Sequence, residues 1–315
     1  MIAIGVDIGG TSIKGAAVTT DGKVLETFSM PVVKGENQDT TVNKLIDLLE
    51  EYLKVHKYDK SNCLGIGFGI PGCIDSKNGV VSYSNNLRWK ELHFVEKIKE
   101  RIDMPVRITN DANAAAFGES KFGAGRKYKN ILMVTLGTGV GGGIVIDGKL
   151  YEGNFGKGAE LGHMVVQMDG RLCTCGRRGC LEAYASATGL IASTKEMMEK
   201  HKDSLMWPIS EKLEKVNARV AFEAERSGDP YAKEVVDNYI KYLGEGLNNY
   251  FNIFRPEAVM LSGGIANEGE YLVNRLKDYC SRTHYGFEGT PSVDILISEL
   301  GYHSGIIGAA SLMFE

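Results

Sequence analysis

The sequence predicts an α/β protein made of two similar domains, and three observations carry that expectation. Short apolar runs of strand length alternate with longer segments of helical period. A strand, a glycine turn, a second strand and an Asp-Gly-Lys hairpin occur in that order twice, at residues 2–23 and 131–149, which reads as an internal duplication. Glycine makes up 39 of 315 residues with no collagen-like period, about 12% against a usual ~7%. Many backbone positions must therefore turn sharply or approach a neighbour closely.

Composition narrows the function classes. A length of 315 residues suits two domains of ordinary size, and 43% hydrophobic with 24% charged residues excludes intrinsic disorder. Lys+Arg number 36 against 40 Asp+Glu, a net charge of −4, which gives no general attraction to nucleic acid. The longest uncharged apolar stretch, Ile131 to Ile146, has 16 residues and five glycines, short of the roughly 18 that argue for a membrane span. The first residues lack the basic stretch of a signal peptide. A cytoplasmic protein without membrane or nucleic-acid partners is expected, in which cysteines serve as metal ligands or core residues rather than disulfides.

The elements follow in order. Ile2–Val6 and Ile13–Val18 are strands around the turn Asp7 to Thr11, and Asp21-Gly22-Lys23 turns into a third strand at Val24–Met30. Val42, Leu45, Ile46, Leu49, Tyr52, Leu53 and His56 share one face of a helix over 39–57. Leu64–Ile70 is a strand ending at Pro71-Gly72, Phe94–Arg101 a helix and Val106–Thr109 a strand, after which Asn110-Asp111 opens an alanine-rich helix. Ile131–Leu136 and Ile144–Ile146 are strands around a turn spanning Gly137 to Gly143. Beyond residue 185 the chain turns mostly helical. Asp229-Pro230 has the cap and first-turn signature of a helix that runs to Arg255-Pro256, with Val235, Val236, Tyr239, Ile240, Leu243, Leu247, Tyr250 and Phe251 on one apolar face. A strand at Glu257–Leu261 leads into Ser262-Gly263-Gly264, followed by a helix near 270–280, a strand at Ile295–Ser298 and a closing helix at Ile306–Met313.

Four sets of residues can carry chemistry. Asp7, Gly9, Gly10 and Thr11 sit in a tight turn whose backbone N–H groups and hydroxyl suit a phosphate, with the acid facing a Mg²⁺ shell; an ordinary hairpin is the plainer alternative. Gly137, Thr138 and Gly139 offer the same features in the second repeat, or simple close backbone packing. Together the two turns look like a clamp on a polyphosphate. His163, Cys173, Cys175 and Cys180, spaced His-x9-Cys-x-Cys-x4-Cys within 18 residues, meet the tetrahedral N/S preference of Zn²⁺ and leave no open position, so a structural metal is expected, a redox cluster or unrelated buried thiols being the alternatives. Asp111, Glu160 and Glu182 are acids flanked by glycine or alanine. Asp111 suits either a helix cap or a general base on a substrate hydroxyl, and the residues alone do not choose.

Asp7-Ile8-Gly9-Gly10-Thr11, Asn110-Asp111-Ala112-Asn113, Gly137 to Gly143, Glu160-Leu161-Gly162-His163, the run Cys173 to Cys180, Leu181-Glu182-Ala183, Arg226 to Pro230 and Leu261-Ser262-Gly263-Gly264 together resemble the ROK family of sugar kinases and repressors. The resemblance covers essentially the whole chain. It implies two ribonuclease-H-like domains of the actin- and hexokinase-like ATPase type with a cleft between them. Residues 1–118, completed by a C-terminal helix at about 304–315, would form one; 119–303, with the zinc segment, would form the other.

The same resemblance implies ATP-dependent phosphorylation of a hexose with Asp111 as general base. ATP with Mg²⁺ would lie between the glycine turns with Gly263 and Gly264 near the adenosine. The sugar would meet Asn110, Asp111, Glu160, His163 and Glu182, with Gly72, Asn85 and Asn86 as first-domain contacts. His163 would hold zinc with one ring nitrogen and face the sugar with the other. Ile70-Pro71-Gly72 and Asn85-Asn86-Leu87-x-Trp89 are similar to the glucose-phosphorylating bacterial branch. N-acetylmannosamine or N-acetylglucosamine kinase is the alternative, and a sugar-sensing regulator the non-enzymatic one. Family repressors carry a DNA-binding domain ahead of the first phosphate motif, where this sequence has six residues, so the kinase class is expected, as a homodimer or homotetramer.

Overall fold

A computed structural model describes residues 1–283, 285–286 and 291–314. Along the chain β1 (Ile2–Ile8), β2 (Ser12–Thr19) and β3 (Val24–Pro31) precede α1 (Gln38–His56) and β4 (Cys63–Ile70). Three short strands follow, β5 (Cys73–Asp75), β6 (Val80–Ser84) and β7 (Trp89–Leu92), then α2 (Phe94–Lys99), β8 (Val106–Asn110) and α3 (Asp111–Phe122). Next come β9 (Ile131–Leu136), β10 (Val140–Ile146) and β11 (Lys149–Tyr151), then α4 (Glu182–Ala185), α5 (Ala187–Lys200), α6 (Met206–Ser210), α7 (Val220–Arg226) and α8 (Pro230–Phe254). β12 (Ala258–Ser262), α9 (Glu270–Thr283), β13 (Asp294–Ile297) and α10 (Ser304–Ser311) complete it. The chain divides into two units, 1–131 with 143–159 and 298–315, and 132–142 with 160–297. Glu315, the end of the segment expected as the closing helix, lies outside the described residues.

The first unit is built on a five-stranded sheet ordered β3-β2-β1-β4-β8. β1, β2 and β3 are antiparallel neighbours, while β1, β4 and β8 run parallel, with Asp7 opposite Gly69 and Ile70 opposite Asn110. Parallel strands bring their carboxyl ends to one edge of a sheet, where α/β proteins place ligands. Asp7, Gly69 and Asn110 therefore arrive at the same edge. On one face α1, capped by Asn37 through the Asp39 N–H at 2.8 Å, buries Val42, Leu45, Ile46 and Leu49 against Val6, Ile8 and Phe68. On the other face α10 packs on β1, β4 and α3. That approach explains part of the glycine excess. A Cβ on Gly5 or Gly67 would overlap the Ile306 or Ala309 carbonyl, and one on Gly308 would overlap the Ala114 carbonyl.

The sheet β5-β6-β7 was not expected from the sequence. Its strands are three to five residues long, too short to show a convincing alternation. Trp89 is nonetheless fully buried and stacks near Phe94, which meets Phe68 edge-on at 4.9 Å.

A further sheet has the order β11-β10-β9-β12-β13. The expected turn from Gly137 to Gly143 is shorter in the structure, because β10 already begins at Val140. Gly142 and Gly143 serve close packing instead. A Cβ on Gly142 would strike Leu161, and one on Gly143 would strike Ala116.

In the second unit α8 supplies the long apolar face. Asp229 caps it by accepting the Tyr231 and Ala232 N–H groups at 2.7 and 2.9 Å, and Pro230 occupies its first turn. Two buried tyrosines of α8 reach across, Tyr250 donating to the Leu161 carbonyl at 2.6 Å and Tyr239 to the Ala185 carbonyl at 3.0 Å. They pin the two flanks of the His/Cys segment to one rigid helix. Burial pushes both hydroxyl pKa values up, so they remain protonated donors.

Candidate active site

In the first unit the strand ends assemble a group of acids and amides. Asn110 is the N-cap of α3, its Oδ1 accepting the Ala112 and Asn113 N–H groups at 2.9 and 3.3 Å. Its Nδ2 donates to the Gly72 carbonyl at 3.0 Å. Gly72 has φ +118 and no room for a Cβ beside Tyr83 and Ser84, so a glycine is required there. Asp111 is the first residue of α3, and its Oδ1 lies 3.0 Å from the Ala112 N–H. The capping role that the sequence left open for Asp111 is therefore filled by Asn110.

Asp7 faces the same edge. Burial first, and the charge of Asp111 second, push its carboxyl up to about 6 against the pull of Lys14. Gly69 lies between the two acids. A Cβ there would stand 3.5 Å from the Asp111 Cα and 4.0 Å from the Asp7 Oδ1. A Cβ on Gly305, at the start of α10, would stand 2.9 Å from the Asp7 Cγ. In the turn that follows, the Gly9 N–H donates to the Ser12 carbonyl at 2.9 Å, while Gly10 and Thr11 are exposed. Asn86 approaches this turn, 3.6 Å from where a Gly10 Cβ would sit. Asn85 instead accepts from the Tyr83 hydroxyl at 3.1 Å. The structure thus brings Asp7, Gly72, Asn110 and Asp111 together and groups Asn86 with Gly10.

In the second unit one donor atom from each of His163, Cys173, Cys175 and Cys180 lies within 4.8 Å of the others. Cys175 and Cys180 sulfurs are 3.7 Å apart, and His163 Nδ1 is 3.6 Å from the Cys173 sulfur. A tetrahedron with ~2.3 Å Zn–S bonds has an edge of about 3.8 Å, so the four donors fit that ion. Two short β-bridges, Val165 to Cys180 and Leu172 to Arg178, fold the segment back on itself. Gly179 makes the reversal at φ +78, where a Cβ would overlap the Gln167 carbonyl. Burial pushes the Cys180 thiol up to about 12 and also raises Cys173, so a cation is what would draw their protons off. His163 Nε2, the nitrogen outside the cluster, lies 4.0 Å from Glu160 Oε2.

Glu182 links this segment to the glycine turn. Its Oε1 accepts the Thr174 hydroxyl at 2.7 Å and its Oε2 accepts the Val140 N–H at 3.1 Å. It can reach because Gly139 has no side chain; a Cβ there would overlap the carboxylate. The turn itself is fixed from behind. The Gly137 carbonyl accepts from the Ala187 N–H, and the Thr138 carbonyl accepts from the Thr188 hydroxyl, each at 2.8 Å. Beside it lies a cavity of about 420 Å³, bounded by Gly137, Thr138 and Gly264, with Asn217, Arg219 and Asn267 among its other walls. Gly263, at φ +89, packs under the Leu136 backbone.

A family model for the ROK family matches residues 3–315. The chain belongs to the ROK family. The glucokinase of Thermotoga maritima is 37% identical over 99% of this chain and 97% of its own length. The xylose repressor of Bacillus subtilis is 31% identical over 99% of this chain but 77% of the repressor. Among solved structures, a ROK glucokinase from Streptomyces griseus in complex with glucose and AMPPNP is 33% identical, covers 99% of both chains and superposes with a TM-score of 0.79. The fold is accordingly the two-domain actin- and hexokinase-like ATPase fold of ROK hexokinases.

Several residues that shape this ROK site carry no sequence signal. Tyr239 and Tyr250 read only as members of an apolar helix face, and Thr174 as a spacer between ligands. Asn217 and Arg219 fall between helices, away from any motif, and Asn267 lies in a short 3-10 helix just past Gly264 without being part of the motif itself.

The strain on Asp7 gives a measurable pH dependence. Its folded value of about 6 lies above the ordinary 3.8. The stability it contributes is therefore fully present below about 3.8 and is lost as pH rises through about 6. Asp7→Asn, which cannot ionise, is expected to be more stable than the parent at pH 7.5, by on the order of 2–3 kcal/mol. The comparison is made without nucleotide or Mg²⁺, and the gain should fade toward pH 4. Thermal melts at both pH values measure it, and an equal difference at the two would contradict the assignment.

Proposed function

We propose that this ROK protein is an ATP-dependent hexose kinase that converts glucose to glucose 6-phosphate. The observation that carries the reading is the division of labour at the start of α3. Asn110 satisfies the exposed helix N–H groups, so a carboxylate at the next position is not needed as a cap. It lies close enough to Asp7 for the two charges to repel. Acids held near one another at a strand edge suit proton and metal work rather than stability. The full-length likeness to glucokinases supports the substrate class.

Asp111 accepts the proton of the sugar 6-hydroxyl as that oxygen attacks the terminal phosphorus of ATP. Asn110, with Gly72 behind it, orients the hydroxyls next to the attacking one. Glu160, Glu182 and His163 Nε2 hold the remaining hydroxyls, and Asn85 and Asn86 close the sugar's other side. Gly9, Gly10 and Thr11 on one turn and Gly137, Thr138 and Gly139 on the other offer backbone N–H groups and hydroxyls to the phosphates, with Gly263 and Gly264 against the adenosine. Asp7 would hold the hydration shell of Mg²⁺, which supplies charge neutralisation for the triphosphate when bound. His163, Cys173, Cys175 and Cys180 would hold Zn²⁺, whose contribution is to fix the His163 ring and its tautomer.

Asp111→Asn keeps the side-chain shape but removes the proton acceptor, so kcat at saturating sugar should fall by about 10²–10⁴-fold. Folding and metal content are checked alongside; a near-parental kcat would remove Asp111 from the mechanism. Elemental analysis of protein purified without chelator should give about one zinc per chain, matching one closed four-ligand site. Cys175→Ala should lose that zinc and weaken sugar binding. Sugar affinity unchanged in the zinc-free variant would contradict the placement of His163 and Glu160 at the sugar.

A further inference from the structure

The cavity beside the second glycine turn contains a cation that the proposed mechanism leaves unused. Arg219 lines it together with Thr138 and Gly264. The backbone at Arg219 is set by Asn217, whose Oδ1 accepts the Arg219 N–H at 2.9 Å. Its guanidinium is exposed and makes no hydrogen bond or ion pair among the described residues. The acid whose charge it feels, Glu268, is already held by Arg226 at 2.8 Å.

An exposed arginine alone marks no site. The second observation is the turn that shares the cavity. The carbonyls of Gly137 and Thr138 are both engaged by the start of α5. A trans peptide is planar, with its N–H opposite its C=O, so the Thr138 and Gly139 N–H groups point away from α5. Among the described residues neither has an acceptor. Thr138 and the unpaired Arg219 guanidinium therefore border one cavity, with the Gly139 N–H next along the same turn and no carboxylate among the lining residues. That donor set asks for an anion with several oxygens. Arginine's planar fork of N–H donors matches phosphate oxygens better than any other side chain.

We infer that Arg219 binds the phosphate chain of the nucleotide in this cavity, together with the Thr138–Gly139 turn. The inference rests on the ATP reading above and adds to it a binding residue outside the family motifs. Binding of adenosine, ADP and AMPPNP to the parent, Arg219→Gln and Arg219→Lys proteins is compared by ligand-observed NMR titration, without sugar. Arg219→Gln should weaken ADP and AMPPNP about tenfold to a hundredfold and leave adenosine unchanged, with Arg219→Lys restoring part of the loss. In turnover the KM for ATP should rise while kcat at saturating ATP stays near the parental value. Equal weakening of adenosine would make Arg219 a base or ribose contact, and no weakening of any ligand would make it a solvated surface cation; either result overturns the inference. A parent protein that binds none of the three would instead overturn the nucleotide reading itself.

Discussion

Two carboxylates that repel each other, Asp7 and Asp111, are held at one sheet edge, and much of the first unit is arranged to keep them there. β1, β4 and β8 are parallel, so their carboxyl ends cannot separate without breaking the sheet. Gly69, one residue before the end of the strand between them, adds no side chain between the acids. Asn110 takes over the helix cap. α10 closes over β1 and β4 on glycines that admit its backbone, and its own Gly305 lies against the Asp7 carboxyl. The cost, from burial first and the Asp111 charge second, appears as the raised Asp7 pKa. Such local destabilisation is characteristic of sites that await a cation or a proton.

A comparable constraint operates in the second unit, through hydrogen bonds rather than repulsion. Tyr239 and Tyr250 fix both flanks of the His/Cys segment to α8, and Glu182 fixes its centre to the glycine turn. The segment is therefore positioned before any metal is considered, and the four donors converge on one point. Moving this loop would move the Val140 N–H and the turn beside it.

The parts of this design that lie in local sequence were legible. The Asp229-Pro230 cap, the apolar stripe of α8, the turn at Asp7 to Thr11 and the His/Cys spacing each occupy a short window with a specific chemical reason. What failed to show depends on long-range contact. The strands of the β5-β6-β7 sheet are too brief to carry a period. Gly141 to Gly143 looked like turn residues, yet they lie in β10, where Gly142 and Gly143 are glycines because Leu161 and Ala116 press against them. Glu182 was readable as a site acid but not as a tether, because its partners Thr174 and Val140 are neighbours only after folding. Arg219 had no signal at all, since its meaning comes from the cavity it borders. Asp111 was left between two roles until the structure gave the cap to Asn110.

The central claim is that these residues transfer phosphate from ATP to the 6-hydroxyl of glucose. The most direct measurement is ADP release across a panel of glucose, mannose, N-acetylmannosamine and N-acetylglucosamine with zinc-loaded protein, the phosphorylated position being identified by NMR. The expected result is the highest kcat/KM for glucose, with glucose 6-phosphate as product. A preference for either N-acetylated sugar would contradict the substrate, and tight sugar binding without any sugar-dependent ADP release would contradict the kinase reading itself.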